Sequence, residues 1–479
     1  MSEPAAPKST DLSPPKPEQA QRVRYSLKVS MKDSVASSVM TGTVDQFLNA
    51  FAIFLRASSV QIGWLTGIPQ LLGGLFQILS VWLGGYWPRR SLIVLGAAVQ
   101  TLSLVGLCAL ALPFPWPEGA RVPLLIGCAI VYHGASNLAQ PQWKALMGNL
   151  VPPRLRGRYF GVRSRLAMAT SFFAFLAGGL LLNGSASLGV ESLGFAALFL
   201  IAVFGRGMST RYLHRMYDPY RPDHSRGRGL MHTLRSMKRA FADQRFRRFT
   251  LFLAGMQCMV ALSAPFFAVY MLRDLQFTYL QFTLNTAASI LVQFVLLRYW
   301  GRIADRKGNR YVMALGATVI PVLPVLWLFS DNLVYLMGVQ MLGGAAWAGF
   351  TLATSNYLYD LKPDDSEFAG YAAMQSTIGA AAVFVGAISG GYLISWVPDA
   401  LVLGNWSWPI ERPIWVIFVI SAVLRAVVAL WYLPRAPELR VKQRGRVRDL
   451  VFRVSRFTPI SGVVFDVVSG RRKKQRPPQ

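Results

Sequence analysis

The sequence predicts an all-α polytopic membrane protein, with twelve transmembrane helices in two six-helix bundles. Three observations lead there. The 479-residue chain is 53% apolar and only 15% charged, against about 25% charged in ordinary soluble domains. Apolar stretches of about 20 residues, the length that crosses a hydrocarbon core of about 30 Å, recur from residue 35 to residue 433. These stretches are too long and too evenly apolar for barrel strands, and in lipid a helix satisfies its backbone hydrogen bonds within one segment.

Residues 1–34 open with MSEPAAPKSTDLSPPKPEQ, polar and Pro-rich, without the apolar core of a signal peptide. A disordered tail is expected there, and the first span must itself target the chain. Six spans, at 35–57, 60–83, 91–112, 122–148, 159–182 and 187–205, make a first bundle over 35–205. The segment 206–248 divides the twelve spans six and six. Within it LMHTLRSMKRAF sets Leu230, Leu234, Met237 and Phe241 at helical spacing among His232, Arg235, Lys238 and Arg239. That is the pattern of an amphipathic helix lying on anionic lipid. Spans at 249–272, 279–300, 311–330, 333–360, 369–396 and 414–433 make a second bundle over 249–433. The basic tail 434–479 repeats the amphipathic pattern, with Val447, Leu450, Val451 and Val454 set between Arg446, Arg448, Arg453 and Arg456.

The halves echo each other. LGAAV at 95–99 matches LGATV at 315–319, and LVPPRLRGRY (150–159) resembles LKPDDSEFAGY (361–371) through Leu150 and Leu361, Pro152 and Pro363, Tyr159 and Tyr371. Echoes in corresponding places indicate an internal duplication with the same orientation, so the bundles are expected to be related by a pseudo-twofold axis.

The net charge of +28 is not spread evenly. With the N-terminus inside, 41 of the 50 Lys and Arg fall on one side; Arg56, Arg121, Arg273 and Arg412 fall on the other, and five lie within spans. This is the positive-inside bias, which places both termini in the cytoplasm and suits a bacterial inner (plasma) membrane. No nucleic-acid recognition motif accompanies the charge, so nucleic acid is not an expected partner. Cys108, Cys128 and Cys258 all lie within spans, leaving neither a disulfide framework nor a zinc-ligand spacing. His214, His224 and His232 share the middle segment at spacings that suit solvated residues. No P-loop, GxSxG or HExxH is present, so neither an enzyme nor a cofactor is expected.

GRIADRKGNR, residues 301–310, sets five charges between two apolar spans. It resembles the loop signature of the major facilitator superfamily through Gly301, Asp305, Arg306, Gly308 and Arg310, with Asn309 where a basic residue is usual. The first-half equivalent, GGYWPRR at 84–90, is shorter and lacks the acid. The resemblance implies two rocking bundles, with Asp305 latching the edge of the second bundle to the start of the first bundle's fifth helix. Arg158 and Arg163 are the expected partners. The alternative is that these charges anchor a loop and set topology.

By the same resemblance, helices one, four, seven and ten line a central cavity. Helix four offers His133, Asn137, Gln140 and Lys144 on one face, and helix one offers Asp45 and Asn49. Asp45 and Asn137 are expected at similar depth, His133 one turn further out. An ionisable residue at mid-membrane is by default functional, and Asp45 is expected to couple transport to protons in a cavity shared with His133 and Asn137; the alternative is a satisfied structural bond. Helix seven adds Gln257, helix eight Thr286, Ser289 and Gln293, and helix ten Gln340, Trp347, Thr351 and Thr354, with Tyr357 on the flank. This aromatic, hydroxyl-rich wall suits an organic molecule with apolar surface. The expected function is secondary transport of a small organic solute by a monomer, driven by an ion gradient, protons among the candidates, or by the solute's own gradient. Lipid or lysolipid translocation, and a non-transporting receptor or assembly protein, are the alternatives.

Overall fold

The computed structural model describes residues 17–117, 119–152, 155–218, 229–361, 365–398, 400–403, 406–409 and 412–435. The first half holds α1 (Pro17–Val44), α2 (Leu48–Phe54), α3 (Ser59–Leu83), α4 (Arg89–Ala111), α5 (Arg121–Leu150), α6 (Arg156–Ser187) and α7 (Glu191–His214). After α8 (Gly229–Ala242), the second half holds α9 (Gln244–Ala261), α10 (Phe266–Val269) with a π-helical turn at Tyr270–Asp274, and α11 (Tyr279–Lys307). It continues with α12 (Asn309–Val319), α13 (Leu323–Leu326), α14 (Leu333–Leu361), α15 (Asp365–Trp396) and α16 (Pro413–Tyr432). Before α16 a short antiparallel hairpin pairs β1 (Ala400–Leu403) with β2 (Trp406–Pro409), Leu401 opposite Trp408. The other elements among the described residues are helical.

Among the described residues, eleven helical stretches are long and apolar enough to cross a membrane, and they match the second to twelfth expected spans. The chain is an integral membrane protein. The first span differs: its helix begins at Pro17 and breaks in a turn at Asp45–Phe47. Residues 17–34, expected in a disordered tail, are therefore part of α1. The reason is a buried polar stripe. Ser26, Ser30, Ser34 and Ser38 recur every four residues and are buried with Asp33, in a helix that packs on α6 and α7. Small hydroxyl residues let helices approach closely and bond to neighbours, whereas a search for apolar runs sees only a polar stretch.

The duplication is visible in the backbone. Capping boxes at Ser58/Gln61 and Thr278/Gln281 open α3 and α11, each satisfying backbone N–H groups that the first helical turn leaves unpaired. Two non-glycine residues with positive φ, Arg56 (58°) and Gln276 (53°), just precede those boxes. Both pairs share the 220-residue offset of the LGAAV and LGATV echoes. The membrane helix before each box is itself broken, at Asp45–Phe47 and at Leu262–Pro265.

The expected amphipathic helix is α8, but Met237 and Ala240 are buried and the helix packs on α15 and α9. Met237 and Ala240 are thus turned towards protein. Residues 1–16, His224, Pro363 and the tail pattern Val447–Val454 lie outside the described residues, as do the side chains of Leu230, His232 and Leu234.

Candidate functional site

At the end of the bundles away from residues 301–310, the two halves close on each other. Phe47 lies 5.1 Å from Phe175 in its own bundle and 6.4 Å from Phe282 in the other. Arg273 donates to the carbonyl of Ala57 at 2.8 Å, and Tyr279 donates to Glu191 at 3.4 Å. The α6–α11 approach is so close that a Cβ on Gly179 would lie 2.2 Å from Thr283 Oγ1. Along α3 and α15 the seam runs deeper. Cβ atoms on Gly391 and Gly63 would meet Ser59 O at 2.8 Å and Ala387 O at 2.5 Å, and Ser376 reaches Gln77 at 3.5 Å. Towards the basic end, Gln140 and Lys144 on α5 and Thr351 and Ser355 on α14 are exposed. The space between the bundles is sealed at one end and open towards the other.

Inside lies a cavity of about 350 Å³, within the range of ~300–1,000 Å³ usual for small-molecule sites. Both bundles line it. Asp45 and Asn49 come from the α1–α2 break and α2, Thr286 and Ser289 from α11, and Gln340 and Trp347 from α14. These six were all singled out from sequence.

Asp45 is open to the cavity and accepts a 2.8 Å hydrogen bond from the Tyr132 hydroxyl. The expected neighbours His133 and Asn137 are not its partners. Successive residues turn about 100° around a helix, so Tyr132 reaches α1 while His133 stands edge-on to it at 4.9 Å. Asn137 is taken up elsewhere: it accepts from Gln77 at 2.7 Å and donates to the His133 carbonyl at 2.8 Å. Gln140 and Lys144 bond to each other at 3.3 Å.

In the second bundle Gln293 reaches Ser289 at 3.4 Å, one turn from the cavity wall. Gln257 abuts α15, where a Cβ on Gly379 would lie 2.5 Å from its Oε1. Tyr357 is a correction: it is buried with its ring 4.8 Å from Phe249, a core contact. Thr354 is also buried, donating to the Phe350 carbonyl, so the open polar side of α14 runs Trp347, Thr351, Ser355.

The charged loop is a sharp corner. Gly301, Asp305 and Arg306 lie in α11, with Asp305 and Arg306 exposed, and Gly308 turns the chain at φ 91°, where a Cβ would be strained. Asn309 is buried and donates to Asp360 at 2.6 Å. Arg310 donates to the Leu433 carbonyl. The expected Arg163–Asp305 latch is not the pairing observed. Arg163 bonds Asp33 at 3.2 Å and lies 4.2 Å over Trp143, because α1 and α5 are its immediate neighbours.

Several groups escaped sequence reasoning. Asp33 also accepts from Ser209 at 2.7 Å, and Arg206 donates to that hydroxyl at 3.0 Å, so the cluster ties α1, α6 and α7 together. Arg412 forks onto Asp331 at 2.9 and 2.8 Å and also donates to the Tyr270 hydroxyl. These hydrogen bonds hold the Asp331 carboxyl below its usual range. Arg425 lines the cavity; its lone charge in an apolar span was the available signal.

A profile of the Major Facilitator Superfamily matches residues 34–267 and 249–472. Among curated proteins none matches. Solved structures share the fold at low identity. The nucleoside transporter NupG has a TM-score of 0.63 at 12% identity, covering 85% of this chain and 98% of that one. A D-xylose–proton symporter gives 0.62 at 14%, covering 88% and 98%. A POT family transporter in complex with 5-aminolevulinic acid gives 0.61 at 13%, covering 88% and 97%.

Proposed function

The chain belongs to the major facilitator superfamily, and on that premise we propose that it is a secondary transporter of a small organic solute, coupled to protons through Asp45. The observation that carries this is the cavity lined by both bundles, sealed at one end and open towards the other. Rocking the bundles about it would expose the same side chains to either face of the membrane. The similar folds named above include transporters of nucleosides and of D-xylose with protons, which supports a small solute and a proton. A wall of polar and aromatic side chains favours a solute over a lysolipid.

The basic end is cytoplasmic in this proposal, on the positive-inside bias, with both termini there and a bacterial inner membrane as the setting. In the conformation described the cavity then faces inward. Asp45 sits where a helix is interrupted, its carboxylate bonded by one hydroxyl and otherwise open to the cavity. An acid so placed takes up and releases a proton as access alternates.

The test is uptake by purified protein in liposomes, with a library of nucleosides, sugars, organic acids and amines, with and without an imposed proton gradient. Saturable accumulation that collapses with the gradient is expected. Saturable binding without movement across the membrane would favour a receptor.

A further inference from the structure

α16 carries one charged side chain in twenty residues, Arg425. It is 3% exposed and lines the central cavity. Its donors reach the carbonyls of Met259 (3.5 Å), Ile320 (3.4 Å) and Val260 (3.4 Å), and Ser263 Oγ at 2.6 Å. No carboxylate is among these partners.

A buried guanidinium without a counter-charge is expensive. An apolar residue would fit the surrounding span better. Three of its four contacts are long, so they would yield readily to a stronger acceptor. Arginine is the side chain that grips a planar oxyanion with two parallel hydrogen bonds. The remaining cavity wall includes Phe267, Trp327 and Trp347, flat apolar surfaces suited to a ring or hydrocarbon body.

We infer that Arg425 is the anion-recognising residue of this cavity, and that the transported solute is an organic monoanion with an apolar or aromatic body. The inference rests on the transporter reading and narrows its substrate class. One cation neutralises one negative charge; Asp45 is the one acid among the lining residues, and it opposes a second. A solute bearing an amine alone would be drawn to Asp45 and repelled by Arg425.

Three probes sharing one body separate these cases: 3-phenylpropionate, 3-phenylpropionamide and 3-phenylpropylamine. Each is titrated into the purified full chain, with tryptophan fluorescence and calorimetry as readouts. The acid is expected to bind saturably, at least tenfold tighter than amide or amine. Arg425→Gln should abolish that preference, and Arg425→Lys should keep part of it. The wild-type series alone decides if Arg425→Gln does not fold. Equal or tighter binding of amide or amine overturns the inference, as does an acid preference that survives in Arg425→Gln. If none of the three binds while an uncharged solute accumulates in liposomes, the anion inference falls and the transport reading stands. If no solute of any charge accumulates, both fall.

Discussion

Gly179→Ala should tilt the balance between the two access states without touching the cavity. The new Cβ would lie 2.2, 2.6 and 2.6 Å from Oγ1, Cβ and Cγ2 of Thr283 across the α6–α11 seam. Because the clash includes the Cβ atom, turning the Thr283 side chain cannot relieve it, and the helices must separate. Overpacking of this kind costs ~1–3 kcal/mol. The cost falls on the state in which this end is closed, so the ratio of outward-open to inward-open protein should rise by about 5- to 150-fold. The assay is labelling of Ser289→Cys, on the cavity wall, by an impermeant thiol reagent applied from outside, with Cys108, Cys128 and Cys258 replaced by alanine. Labelling should rise in Gly179→Ala and not in Gly184→Ala, whose Cβ meets nothing within 4 Å. Thr283→Ala removes two of the three clashing atoms and should partly reverse the effect. Unchanged labelling, or equal labelling in the two glycine variants, would refute the reasoning.

Three further outcomes follow from the geometry. One proton moving through 100 mV supplies about 2.3 kcal/mol, or about 50-fold accumulation; Asp45→Asn should reduce this to near unity while sparing exchange, and full accumulation by the variant would end its coupling role. Asp33→Ala leaves half-buried Arg163 and buried Arg206 without their acid and should destabilise the protein by up to ~3–5 kcal/mol, read as a lower midpoint in detergent denaturation. Because Arg412 lowers the Asp331 pKa, the carboxylate stabilises the fold above the unfolded value of about 3.9 and stops doing so as pH falls through the lower folded value. The Tm gap between wild type and Asp331→Asn should therefore be constant above about pH 5 and shrink on acidification below it; a gap that widens instead would contradict the pairing.

Spans two to twelve were legible because twenty apolar residues leave few alternatives to a membrane helix. α1 was not, since Ser26, Ser30, Ser34 and Ser38 face protein and cancel the apolar signal. The cavity residues at the α1–α2 break and on α2, α11 and α14 followed from helical periodicity and the family's architecture. What periodicity cannot supply is rotation about the helix axis to within one residue, which is why Tyr132 holds Asp45 while His133 does not, and why Tyr357 packs in the core. Arg163 pairs with Asp33, an acid in the polar stretch ahead of the first apolar run, where apolar length gives no sign of a helix. Arg425 was visible as a charge within a span, but its neighbours come from α9 and the α12–α13 junction, remote in sequence.

Alternating access is the central claim, and paired spin-label distances test it most directly. One pair, at Lys144 and Ser355, spans the open basic end; the other, at Leu188 and Phe329, spans the closed end, and all four side chains are exposed. Measured in liposomes across an imposed proton gradient, each pair should give two distances, with the basic-end pair shortening as the opposite pair lengthens. A single fixed distance for both pairs, or distances that lengthen together, would contradict the account.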